Sequence, residues 1–309
     1  MENIKQTILK GRPNLKPNSV NQYAAQLRKL LSLFGTDNLS FLDKPTEVTE
    51  KIKDLHYTSR RNVYNSVIVY LYGIDDPKNQ PYIKEYISIR DKLNDQYFTE
   101  QASGKISEKQ EKNLVDIKEI EKMIDTLNKE VKEIKKKPSF NRSEISTIRS
   151  WILLNMLTRI PTRNDASNML FISQAEYKKL TLEDKQEHNY LVNKRDGLYF
   201  VYNDYKTSKI YKENKIDAPK ELQKLLKQYI KMMGFKVGDN IFNLSRNALT
   251  QLLIKTSQKY MGKNISTTLI RKSYISSKYG NTKSEMEADS KKMMHSVASQ
   301  QLIYNKSKE

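Results

Sequence analysis

Apolar positions recur along this chain with two different periods, and the change of period divides it. Tyr23, Leu27, Leu30, Leu31 and Phe34 follow one another at helical spacing after Ser19, a residue suited to an N-cap, and Gly35 marks the stop. Phe41, Val48 and Ile52 predict a second helical unit. Val63, Val67, Val69, Tyr70 and Leu71 predict a third, opening near Thr58. Ile87 and Leu93 predict a fourth from about Pro81. The pattern describes a small all-helical domain over residues 17–99. Residues 1–16 are polar and basic, carry Gly11 and Pro13, and read as a flexible basic arm. The small polar stretch 100–106 reads as a linker.

The remainder, residues 107–309, mixes the two periods. A charged helix around Val115–Leu127 extends through lysines to Lys137. It does not sustain heptads, so it reads as a solvated helix ended by Pro138. Ile145, Ile148, Trp151, Ile152, Leu154, Met156 and Leu157 predict a buried helix. The runs Tyr190–Val192 and Leu198–Tyr202 flank Arg195-Asp196-Gly197 and predict a hairpin. Ile210 to Ile216 predicts a third short strand. Helical spacing returns over Ala218–Met233, Asn247–Tyr260 and Ser266–Tyr279, with two further C-terminal helices. The expected fold is therefore mainly α: an all-helical N-terminal domain, then an α+β domain with a small three-stranded antiparallel sheet.

Composition narrows the chemistry. The absence of cysteine among 309 residues excludes disulfides, thiolate metal sites and cysteine nucleophiles. His56, His188 and His295 are the three histidines and show no metal-ligand spacing, so a histidine-rich zinc site is not expected. The net charge of +19 favours a polyanionic partner, although the abundance of lysine, asparagine and isoleucine is also what a biased genome would give. No apolar run is long enough to span a bilayer and the first residues lack a signal-peptide core. An intracellular, non-secreted protein with no membrane partner is expected.

Several residues could carry chemistry on this background. In Thr158-Arg159-Ile160-Pro161-Thr162-Arg163-Asn164-Asp165, a buried helix runs into a proline turn that presents Arg163. A guanidinium there can grip a phosphate through two parallel hydrogen bonds, with Asp165 near enough in sequence to orient it. Lys206, in Asp204-Tyr205-Lys206-Thr207-Ser208-Lys209, sits on a turn between strands, where a lysine can give a proton to a leaving oxygen. Arg271 lies three residues after Thr268 at a helix start, so the two share a face. His295 follows two methionines and precedes Tyr304 by nine positions. Each reads alternatively as structure. Arg163 can pair with Asp165 or cap the preceding helix, Lys206 can be a solvated turn lysine, and Arg271 an ordinary surface arginine. His295 can be a core histidine, and Tyr304 one packing residue among 19 tyrosines.

Taken in order, arginine, turn lysine, arginine, histidine and tyrosine resemble the tyrosine recombinase, or phage-integrase-like, family. Pro161 to Met169 resembles the family's PxRxD pattern with a following apolar helix. The segment MMHSVASQQLIY is similar to its GHxS…Y ending. The YKTSK turn looks like that of recombinases of eukaryotic large DNA viruses and related mobile elements, which would place the protein in the cytoplasm, the nucleus or a viral replication site. The first helical domain is similar to the family's core-binding domain. Thr268 stands where the family usually has histidine, and Met294 where it has glycine.

The resemblance implies a site-specific DNA recombinase or integrase that works through a 3′-phosphotyrosyl intermediate, without metal or ATP. Tyr304 would be the nucleophile and Lys206 the acid for the leaving 5′-oxygen. Arg163 and Arg271 would clamp the non-bridging oxygens, His295 would bond the phosphate, and Asp165, Thr268 and Lys209 would support them. The two domains would clamp double-stranded DNA, with Lys10, Arg12, Lys16, Arg60, Arg61 and Lys272 as candidate phosphate contacts. The implied assembly is a homotetramer on paired sites, and the free protein is expected to be a monomer. Two alternatives use parts of the same picture: DNA relaxation of the type IB topoisomerase kind, and a non-catalytic DNA-binding descendant of a recombinase.

Overall fold

The computed structural model describes residues 2–102 and 108–292, which fall into two compact units that divide between Ile106 and Ser107. The first unit is helical: α1 (Glu2–Gly11), α2 (Pro17–Phe34), α3 (Pro45–Lys51), α4 (Tyr57–Ile74) and α5 (Gln80–Ala102). Pro17 and Pro45 occupy first-turn positions, where a missing N–H costs nothing, and Gly35 closes α2 in the left-handed region. Helix α2 thus opens two residues before Ser19. The apolar faces of α2, α4 and α5 meet in a core built on Leu27, Leu30, Val63, Val67, Ile83 and Tyr86.

Two stretches of this unit differ from the sequence expectation. Residues 2–11, expected as part of a flexible arm, form α1, which packs on α4 and buries Ile8 completely. Residues 100–102, expected in the linker, continue α5.

The second unit contains α6 (Glu108–Asn113), α7 (Ile117–Ile134), α8 (Arg142–Arg159), β1 (Met169–Ser173), α9 (Gln174–Lys179), α10 (Leu182–Glu187), β2 (Asn189–Lys194) and β3 (Gly197–Tyr202). It continues through α11 (Ser208–Tyr211), β4 (Asn214–Asp217), α12 (Lys220–Met233), α13 (Arg246–Met261) and α14 (Thr267–Lys292). An Asn141–Glu144 capping box starts α8, whose apolar residues are buried almost all round. Helix α7, expected to be solvated, instead buries Ile120, Met123, Ile124, Leu127, Val131 and Ile134. It packs on α8, where the Trp151 indole donates to Asn128 at 2.6 Å.

The fold is mainly α, as the periodicity predicts, but the sheet has four strands rather than three and is mixed rather than antiparallel. In the order β1-β2-β3-β4, β1 runs parallel to β2, and the two other pairs are antiparallel. The added strand is β1, where an apolar helix was expected after Pro161. A 3₁₀ turn over Asn164–Asn168 leads directly into it. Asp239, Gly238 and Ile241 hydrogen-bond along its outer side. The expected third strand is shifted: Ser208–Tyr211 is a helical turn and β4 begins only at Asn214. Alternation sorts the strand residues between two faces. Leu191, Leu198 and Phe200 join the helical core, whereas Tyr190, Val192, Tyr199 and Val201 pack with Tyr177. Helix α14 runs through Tyr279 and Gly280 to Lys292, beyond the expected stop.

Candidate functional site

The site begins where α8 ends. Its last turn closes with Ile160 N–H bonded to Met156 O, and the chain turns at Pro161. Arg163 is the exposed residue at the start of the 3₁₀ turn, and Asp165, two positions on, is buried. Burial pushes the Asp165 carboxyl above the usual carboxylate range. The Arg246 guanidinium, the Arg163 backbone and the Arg163 guanidinium oppose that rise, and Asp204 adds to it. These four side chains therefore share one electrostatic neighbourhood.

Strand β3 delivers the second part. Tyr202, its last residue, is buried, and desolvation holds its phenol well above the usual value, with the Thr162 hydroxyl offsetting some of the rise. The chain then leaves the sheet through Asn203 and Asp204. Arg246, the first residue of α13, donates to the Asp204 carboxylate at 2.7 Å and to its carbonyl at 3.3 Å. Asn164 secures the same helix end from the other side. Its amide donates to the Arg246 carbonyl at 3.2 Å and to the Thr250 hydroxyl at 2.5 Å. Lys206 lies two residues beyond Asp204 and is exposed, as is Lys209 on α11.

The interior of this cluster is Asn189, the first residue of β2, which is fully buried. Its amide nitrogen donates to the carbonyls of Asp165 at 2.7 Å and Asp204 at 2.9 Å. Its oxygen accepts from the backbone N–H of Asn203 at 2.8 Å and of Asp204 at 2.9 Å. One side chain thus bonds both the turn after Arg163 and the turn before Lys206. The chain matches no protein-family model, no curated protein and no solved structure.

Arg271 is half-buried in the second turn of α14, and Thr268 is exposed one turn earlier. The described anchors of this helix end lie on other elements: Ser273 donates to the Val115 carbonyl at 2.7 Å, and Ile265 N–H donates to Ser257 at 2.9 Å. Lys272 is half-buried on the same helix. His295 and Tyr304 lie outside the described residues.

In the first unit, Lys10, Arg12 and Lys16 are exposed, Lys10 in the last turn of α1. Arg60 and Arg61 are half-buried near the start of α4. Arg60 lies beside the Tyr64 phenol, and the Arg61 guanidinium sits 4.3 Å over the Tyr97 ring. No helix among the described residues is long and apolar enough to cross a membrane.

Sequence reasoning missed Asn164, Asn189, Asp204 and Arg246. Asn189 left one trace, a polar residue at the edge of an apolar strand run. The Arg246–Asp204 pair spans 42 positions and left none.

Proposed function

We propose that this chain is a DNA strand transferase of the tyrosine recombinase type. The observation that carries the reading is the shared cluster in which Asp165, Asn189, Asp204 and Arg246 join the turn bearing Arg163 to the turn bearing Lys206. A phosphate-gripping guanidinium and a proton-donating ammonium are the two groups that phosphodiester cleavage needs on the non-nucleophile side. The order of Arg271, His295 and Tyr304 further along the chain supports the same chemistry.

Tyr304 Oη bonds to phosphorus as the bond from phosphorus to O5′ breaks. The free phenol has a pKa of about 10, so its proton must pass to water or His295. O5′ leaves with a proton from Lys206. Arg163 and Arg271 hold the non-bridging oxygens as negative charge builds on them, a contribution of roughly 3–4 kcal/mol for one preorganised donor. The phosphotyrosyl bond conserves the energy for rejoining. Double-stranded DNA is the substrate, the working assembly is a tetramer on two sites, and the free protein is a monomer.

A randomised duplex library nicked within the variable region tests this directly. A short 5′-hydroxyl fragment then diffuses away and traps the covalent complex. The wild-type chain should give detergent-resistant adducts that Tyr304→Phe abolishes; adducts that survive this substitution would identify another nucleophile. The exposed Thr268, at a position where the family usually has a base, favours one second reading, a DNA-binding protein that no longer cuts. That protein would bind the library and form no adduct.

A further inference from the structure

We infer that Asn189 is a positioning residue for strand cleavage, and that it acts by fixing the Lys206 turn against the Arg163 turn. The inference rests on the proposed strand-transfer reading and assigns a role within it to a residue that touches no DNA.

Asn189 uses its whole hydrogen-bonding capacity on two backbone segments. Both amide hydrogens and both lone pairs are engaged, at 2.7–2.9 Å, and the side chain has no exposure to water. A buried polar group left unpaired is costly, so this arrangement holds only while both turns stay in place. Aspartate has the shape but lacks the donors for the two carbonyls. Leucine has the volume but meets none of the four groups.

The partners show what is being positioned. Asp165 is two residues after Arg163, and Asp204 is two residues before Lys206. The amide therefore sets the separation of the phosphate-binding turn and the proton-donating turn from inside the sheet end. Arg246 clasps the same Asp204 from the solvent side and also influences Asp165. Its side chain is half exposed, so it can be removed without opening the core. A misplacement of about 1 Å can cost on the order of a hundredfold in rate when a reaction depends on orientation.

The test exploits the leaving group. In a duplex whose bridging O5′ is replaced by sulfur, the departing thiolate is a much weaker base and needs no proton. Adduct formation by the full-length chain is measured on a sequence recovered from the library, in oxygen and sulfur forms. Asn189→Ala is expected to be slowed about a hundredfold on the oxygen substrate and to come within a few-fold of wild type on the sulfur substrate. Lys206→Ala should behave in the same way. Arg163→Ala should stay slow on both, because its contact is to the non-bridging oxygens.

A variant equally slow on both substrates, or as fast as wild type on oxygen, overturns the inference while leaving the strand-transfer reading intact. Should Asn189→Ala fail to fold, Arg246→Ala takes its place, with the same selective rescue expected and the same two results against it. If the wild-type chain forms no adduct on either substrate, the proposed function fails and this inference falls with it.

Discussion

Arg163 is exposed while Asp165, two positions later, is buried with the Arg163 backbone and guanidinium both acting on its carboxyl. Asp165 is nevertheless mostly withdrawn from water, and desolvation outweighs the favourable contacts, so its pKa lies above the ordinary 3.8. The native state therefore holds the Asp165 proton more tightly than the unfolded chain does. Stability from this group is complete at pH below the ordinary value and is lost as pH rises through the elevated native pKa. Asp165→Asn removes the titration. The unfolding free energy of wild type minus that of Asp165→Asn should be larger near pH 4 than at pH 7, measured by urea denaturation. A difference that stays flat with pH would mean that Asp165 is solvated.

Gly11 and Gly73 account for the docking of α1 on α4. A Cβ on Gly73 would lie 1.8 Å from the Thr7 carbonyl oxygen, and one on Gly11 would lie 2.3 Å from the Val69 oxygen. Helices α1 and α4 thus meet backbone to backbone, and no side-chain rotation can relieve the clash. Gly73→Ala should cost about 3 kcal/mol, the upper end of overpacking penalties, and should release α1. Hydrogen exchange over residues 2–11 would then rise towards that of an unstructured segment. Unchanged protection would mean that α1 docks elsewhere.

That contact also explains what the sequence could and could not disclose. Leucines and tyrosines at helical spacing expose α2 directly, because the signal is local. Helix α1 is short, and its docking depends on a glycine some sixty positions away, which periodicity cannot register. Strand β1 is hidden for a related reason: five residues, mostly apolar, fit a helix turn as well as a strand, and its partner β2 lies twenty positions on. The helical nature of α7 was legible, but its burial was not, since the partner Trp151 lies 23 positions beyond Asn128. In the site, Arg163 and Lys206 stand out because turn residues frame them. Asn189 and Arg246 do not, because their roles consist of bonds across 24 and 42 positions.

The proposed electrostatic contact with DNA gives a prediction for the helical unit. Arg61 rests on the Tyr97 ring, which orders its guanidinium without neutralising it. Binding to a duplex of arbitrary sequence, followed by fluorescence anisotropy at several salt concentrations, should give a steep negative slope of log K against log salt. If Arg61 contacts one phosphate, Arg61→Gln should weaken binding uniformly across sequences and reduce that slope by about 1. An unchanged slope would remove Arg61 from the DNA interface and leave it a packing role.

Thr268 offers a gain-of-function test. It is exposed on the first turn of α14, one helical turn before Arg271, and can share a face with it. A threonine hydroxyl can bond a phosphate oxygen but cannot take a proton near neutral pH. In the proposed reaction the Tyr304 proton then leaves by water or His295, a slower route than a positioned base. Thr268→His supplies an imidazole with an ordinary pKa of about 6.5. Its neutral form should accelerate adduct formation by about a hundredfold, the low end for general acid–base catalysis. The gain should appear as pH rises through 6 to 7 and vanish below, because only the unprotonated ring accepts. A rate that does not respond to this substitution at any pH would show that position 268 stands away from the departing proton.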